Sequence, residues 1–218
     1  MLSSGIVYAL DRNIQEIAAD VVRMLSLVRE SCQLAKQALI DGDQAAAAQC
    51  VENDHRIDAL QEELEQKILT VIARRQPAAR DLRFLGAMHR ALSDIERAGD
   101  YAEHVARTGA ELATQPQLKK YTDMQRIFVV LSAMLEKTMQ AIAEGEVAAA
   151  RQGLTMDDEI DDLYQQIQRE LLTYMMESPK VITTALKLMN VGRYLERLGD
   201  HLENVNEHTI FWLTGERL

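Results

Sequence analysis

The strongest restriction on what this chain can fold into is that it spells one pattern twice. Ala38-Leu39-Ile40-Asp41-Gly42-Asp43 returns 103 residues later as Ala141-Ile142-Ala143-Glu144-Gly145-Glu146. At the same offset, Asp54-His55-Arg56-Ile57-Asp58-Ala59-Leu60 returns as Asp157-Asp158-Glu159-Ile160-Asp161-Asp162-Leu163. At an offset of 100, Ile95-Glu96-Arg97-Ala98-Gly99-Asp100 faces Leu195-Glu196-Arg197-Leu198-Gly199-Asp200, and Glu103 then matches Glu203. The three-residue change falls at the turns that hold Pro77 and Pro179. The fold must therefore be two copies of one unit.

The unit is helical. Pro77, Pro116 and Pro179 are the chain's only prolines, and each reads as helix punctuation. Gly42 and Gly145 mark two further turns. Together they divide the chain into six long segments, at 6–40, 43–75, 78–113, 118–143, 146–177 and 180–213. Leu188, Val191, Leu195, Leu198, Leu202 and Val205 follow a 3–4 spacing, as do Ile57, Leu60, Leu64, Ile68 and Ile72. Ala, Leu, Glu, Gln, Arg and Met dominate, and hairpin signals are scarce. The expectation is an all-α tandem repeat of two three-helix bundles, with residues 1–113 forming the first unit and 118–218 the second. Thirty residues of helix span about 45 Å, so these are long rods.

Charge narrows the function. The 218 residues carry 24 Lys plus Arg against 34 Asp plus Glu, a formal charge of −10. No basic footprint for nucleic acid is visible at that balance. No apolar run reaches the roughly 18 residues of a spanning helix, so no direct membrane insertion is expected. Met1 to Leu10 has no basic leader and meets Asp11 and Arg12 early. Cys32 and Cys50 form no CxxC pair and read as reduced, packed thiols. These features describe a cytosolic protein.

The acidic excess is patterned. Glu96, Asp100 and Glu103 stand at i, i+4 and i+7, as do Glu196, Asp200 and Glu203. Such residues share one helix face, where like charges cost roughly 0.2–0.5 kcal/mol per pair. Asp54 with Asp58, and Asp157 with Asp161, repeat the spacing on the second helix of each unit. If those helices run antiparallel, four or more carboxylate oxygens converge, a set suited to Mg, Mn, Fe or Ca. The alternative is local pairing on a solvated face, since Arg193 precedes Glu196 and Arg197 precedes Asp200 by three residues. Gly99 and Gly199 cost helix stability and suggest that a backbone or ligand comes close there. Glu52 and His55 supply one ExxH motif, whereas a ferritin-like di-iron site needs two. His55, His89, His104, His201 and His208 lack zinc spacing, although His104 and His201 adjoin the acidic stripes as auxiliary ligands or surface histidines.

Two stretches now resemble a known family. Arg75-Gln76-Pro77-Ala78-Ala79-Arg80-Asp81-Leu82-Arg83, followed by Asp94-Ile95-Glu96-Arg97-Ala98-Gly99-Asp100-Tyr101-Ala102, resembles the first-repeat signature of PhoU proteins. Tyr194-Leu195-Glu196-Arg197-Leu198-Gly199-Asp200-His201, with Asn204 and Glu207 behind it, resembles the second. Ala98 departs from the usual aliphatic residue, His104 from the common asparagine, and Asp11 to Arg29 shows no clear Met-Gly element.

The resemblance implies a cytoplasmic, usually dimeric protein that negatively regulates phosphate uptake and phosphate-starvation signalling. It implies a non-enzymatic adaptor between a phosphate ABC transporter ATPase and a sensor histidine kinase. Some members hold metal clusters on [Glu/Asp]xxxAsp motifs. Carried over by position, the ligands would be Asp54, Asp58, Glu96, Asp100, Asp157, Asp161, Glu196 and Asp200. A metal-storage bundle or a metal-dependent helical-bundle enzyme is the competing reading of the same residues.

Overall fold

The computed structural model describes the backbone of residues 4–216 and the side chains of residues 10–216. Side chains of most of the Met1–Leu10 start therefore lie outside the described residues. The elements are α1 (Ser4–Lys36), which ends in a π turn at Gln37–Asp41, α2 (Gln44–Arg75), α3 (Ala79–Leu112), α4 (Thr122–Glu144), α5 (Val147–Leu154), α6 (Asp157–Glu177) and α7 (Ile182–Thr214). A 3₁₀ turn at Pro179–Val181 leads into α7. Among the described residues there is no strand, and no helix is long and apolar enough to cross a membrane.

Local chemistry sets the boundaries. Gly42 and Gly145 end matched helices in the left-handed region, at φ 71° and 66°, where a side chain would be strained. Asp43 caps α2 by accepting from the Ala45 and Ala46 amides at 2.8 and 3.1 Å. One expectation needs correction. The segment read as a single rod over 146–177 is broken at Thr155–Met156 into α5 and α6. Gly153 weakens the helix there, and the Thr155 hydroxyl donates back to the Gln152 carbonyl at 3.0 Å. The Met156 amide bonds the Gly153 carbonyl at 3.2 Å, a tightened turn that α2 lacks.

Helices α2, α3, α7 and α6 lie side by side in that order, with α1 behind the first pair and α4 behind the second. The most extensive pairing, α3 with α7, joins the two halves and runs antiparallel. Phe84 meets Trp212 edge-on at 4.8 Å, Tyr101 meets Tyr194 at 6.0 Å, and Glu111 accepts from Lys187 at 2.8 Å. Each step forward on α3 is thus a step backward on α7. Combined with the 100-residue offset, this register relates the halves by an approximate twofold axis near Gly99 and Gly199. Helices α1 and α4, which also touch across the halves, obey the same relation. One continuous core runs through both, including the fully buried Leu25, Ile57, Leu92, Leu131, Ile160, Leu188 and Leu195.

Candidate metal centres

The antiparallel pairing within each half brings the acidic stripes face to face. In the first half, single oxygens of Asp58 on α2 and of Glu96 and Asp100 on α3 lie within 4.8 Å of one another. Asp54 extends the group along α2, where Asp54, His55 and Asp58 satisfy the same limit. In the second half, Asp157 and Asp161 of α6 converge with Asp200 of α7. Glu196 lies outside that group of three but close enough for the charges of Asp200 and Asp161 to add to burial in raising it, and its buried Oε2 has no hydrogen-bond partner. Seven of the eight positions singled out by spacing therefore fall in such groups, four in the first half and three in the second, with Glu196 beside the latter.

Each cluster is electrostatically unbalanced. Burial, then the charges of Asp58, Asp100 and Glu103, push the Asp54 carboxyl up to about 6. Burial, then Glu203, Asp200, Asp161 and Glu196, push Asp157 up to about 7. Glu96, Asp161, Glu196 and Glu203 are also raised, in each case first by burial. The ion-pair alternative is met only in part. Arg97 reaches Asp100 at 3.1 Å and Glu96 at 3.7 Å, and Arg197 reaches Asp200 at 3.0 Å and Glu196 at 3.7 Å. One half-exposed arginine thus faces each set of carboxylates.

Gly99 and Gly199, both buried within their helices, make room for these groups. A Cβ on Gly199 would lie 2.7 Å from Asp157 Oδ1 and 3.0 Å from Ile160 Cδ1. One on Gly99 would lie 2.9 Å from Ile57 Cδ1 and 3.6 Å from Asp54 Oδ1. What comes close is the side-chain row of the facing helix. Those same two oxygens, Asp54 Oδ1 and Asp157 Oδ1, are buried without a hydrogen-bond partner. Inward carboxylates, unpartnered oxygens and raised proton affinity together suit an all-oxygen site for a hard or borderline cation.

The sequence spans the family model described as PhoU domain twice, over residues 21–108 and 124–209. The chain belongs to the PhoU family. A phosphate-specific transport system accessory protein PhoU homolog of Deinococcus radiodurans is 43% identical over 209 residues, covering 96% of this chain and 98% of that relative. The Aquifex aeolicus homolog is 34% identical, covering 94% and 93%. The crystal structure of PhoU from Pseudomonas aeruginosa superposes with a TM-score of 0.90 at 31% identity, over 94% of this chain and 99% of that one. A phosphate transport system regulatory protein PhoU from Streptococcus pneumoniae shares the fold, with a TM-score of 0.89 at 24% identity over 96% and 99%. The all-α twin-repeat architecture is thus that of this family.

Spacing missed the polar group on the α3–α7 seam. Asp94 Oδ1 meets His201 Nδ1 at 2.9 Å and accepts from Asn204 Nδ2 at 3.1 Å, while Oδ2 lies 3.3 Å from His208 Nε2. Burial opposes the Asp94 charge, but these three partners outweigh it and hold the carboxyl well below its ordinary range. Under the 100-residue offset Tyr194 stands where Asp94 does, and it packs on the rings of Tyr101 and His104. At the middle of the seam an ionic group thus sits next to an aromatic one, with Phe84–Trp212 beyond the first and Glu111–Lys187 beyond the second. His201 is built into this seam, where it also stacks on Tyr101 at 5.7 Å, whereas His104 stays exposed at the edge of the aromatic group.

Proposed function

We propose that this chain is a non-enzymatic negative regulator of phosphate uptake and phosphate-starvation signalling, acting in the cytoplasm as a homodimeric adaptor between a phosphate ABC transporter ATPase and a sensor histidine kinase. Residues 1–113 and 118–218 are its two repeat units. Asp54, Asp58, Glu96 and Asp100 would hold one set of cations, and Asp157, Asp161, Glu196 and Asp200 the other, with Mg, Mn or Fe as the candidate ions. Such ions would neutralise the facing carboxylates and fix α2 against α3 and α6 against α7.

The observation that carries the metal reading is the pair of buried oxygens, on Asp54 and Asp157, that no donor satisfies. The regulatory reading rests on the full-length relatives, whose names place them in phosphate-specific transport systems. Deleting the gene should make alkaline phosphatase expression constitutive in phosphate-rich medium. Unchanged repression would count against the regulator. Elemental analysis of purified protein should find metal that largely disappears in the Asp100→Ala plus Asp200→Ala variant. Redox-active iron with catalytic turnover would instead favour the storage or enzyme reading.

A further inference from the structure

Six of the seven large apolar side chains exposed on the described surface sit at two places: the α2–α3 tip and the α6–α7 tip. They recur by the repeat offsets. Leu69 matches Leu172, and Leu82 matches Ile182, with exposures of 48%, 52%, 46% and 40%. The second tip adds Met176 and Leu186, where the first has Ala73 and Gly86. The α2–α3 register, fixed by the approach of Gly99 to Ile57, brings Leu69 level with Gly86 and Ala73 level with Leu82. A Cβ at Gly86 would meet nothing within 4 Å. The first tip is thus two leucines beside a notch, and the second is a filled apolar surface.

Their charges differ more. Residues 74–90 carry Arg74, Arg75, Arg80, Arg83 and Arg90 against the single acid Asp81, in a chain whose net charge is −10. Among the described residues none of these five arginines forms an ion pair with a carboxylate, and outside the tip the same holds only for the scattered Arg23, Arg29, Arg151, Arg169 and Arg193, whereas Arg12, Arg56, Arg97, Arg107, Arg126 and Arg197 are paired. The matching stretch, 174–190, carries Lys180 and Lys187 against Glu177, and Lys187 is already paired with Glu111. Moreover, Ala78 gives α3 no side-chain cap, so the first α3 amides and the helix dipole add to the positive end.

We propose that the α2–α3 tip is a docking surface for an acidic protein segment that seats an apolar side chain between Leu69 and Leu82 while its carboxylates meet Arg74, Arg75, Arg80 and Arg90. Charge complementarity selects the partner. An anionic bilayer is the other surface that such a spot could meet, but the geometry disfavours it. Inward from the basic spot the chain turns acidic, with Glu62, Glu63 and Glu65 on α2, where Lys67 is already paired with Asp20, and Glu96 and Asp100 on α3. A plane broad enough to be a membrane would meet that acidic border, and two half-exposed leucines offer it little apolar area. A bounded acidic segment meets only the arginines. The surface is separate from the carboxylate clusters and does not depend on which signal the protein carries.

A photo-crosslinking residue placed at Leu82, and separately at Leu186 as the repeat-matched control, tests this in cells. The expected result is a crosslink from position 82 to a protein segment, sequenced by mass spectrometry, in which Asp and Glu outnumber Lys and Arg. It should fall at least tenfold in an Arg74→Glu, Arg80→Glu, Arg90→Glu variant whose melting temperature and helicity match the parent. A second measurement uses purified full-length protein and vesicles containing 30% phosphatidylserine, which should leave the protein unbound at about 0.15 M salt. Overturning results are a position-82 crosslink to lipid, a captured segment without acidic excess, no crosslink, a crosslink unchanged by the charge reversal, or vesicle binding. Loss of phosphatase repression on gene deletion is read independently, so the two conclusions can fail separately.

Discussion

The two acidic clusters share a plan and differ in neutralisation. In the first half, Arg107 donates to Glu103 one helical turn away. In the second, position 207 is glutamate, and Glu207 adds its charge to that of Glu203. The oxygen that lacks a donor also lies deeper in the second half, where Asp157 is 8% exposed and reaches toward Gly199. The carboxylate positions are fixed by the repeat, whereas the background charge is set by single residues beside them. Two sites with one ligand plan should therefore have graded affinities, the second tighter than the first.

The largest separation should come from removing the shared ligands. Asp200→Ala should weaken the tighter of two Mn²⁺ binding steps by more than tenfold, and Asp100→Ala the looser one, as read by isothermal titration calorimetry. Equal effects on both steps would break the proposed difference. Next comes pH. A carboxyl raised by the fold holds its proton longer folded than unfolded, so its contribution declines as pH climbs from the ordinary carboxylate range to the raised value. Without metal, the melting temperature should fall by several degrees between pH 4 and 7. Asp157→Asn should remove the part of that slope extending to about 7, and Asp54→Asn only the part ending near 6. Saturating Mn²⁺ should flatten the curve.

Smaller changes probe the glycines. Gly199→Ala should cost about 1–2 kcal/mol in chemical denaturation, because Asp157 and Ile160 must both move. Gly99→Ala should stay within about 1 kcal/mol of the parent, since the nearest atom is the end of the Ile57 side chain and alanine favours the helix. The smallest effects belong to the neighbours. Glu207→Arg should weaken the second site about threefold, and Arg107→Glu should strengthen the first by a similar factor.

Much of this was legible in the residues, for a physical reason. Helix periodicity places Glu96 with Asp100 and Glu196 with Asp200 on single faces, and the repeat says that both faces exist twice. Antiparallel neighbours then bring in Asp54, Asp58, Asp157 and Asp161. The break at Thr155–Met156 was less visible, because Gly153 and Thr155 are tolerated in many helices and only the local hydrogen bonds decide. Asp94 was beyond reach. Its partners His201, Asn204 and His208 lie across a seam between halves, and spacing along one helix carries no information about the helix opposite. The arginine-rich tip is part of the family signature in the residues, but its exposure is set only by the fold.

The antiparallel α3–α7 seam has a consequence for assembly. Its two faces are joined in one chain through the stretch between Leu112 and Thr122, yet the contacts themselves do not require that link. Two chains that fold together at high concentration could exchange second halves and reproduce every seam contact in an intertwined pair. Such a swapped species would carry the same four acidic clusters as two separate molecules, and only the path of the connecting segment would tell them apart.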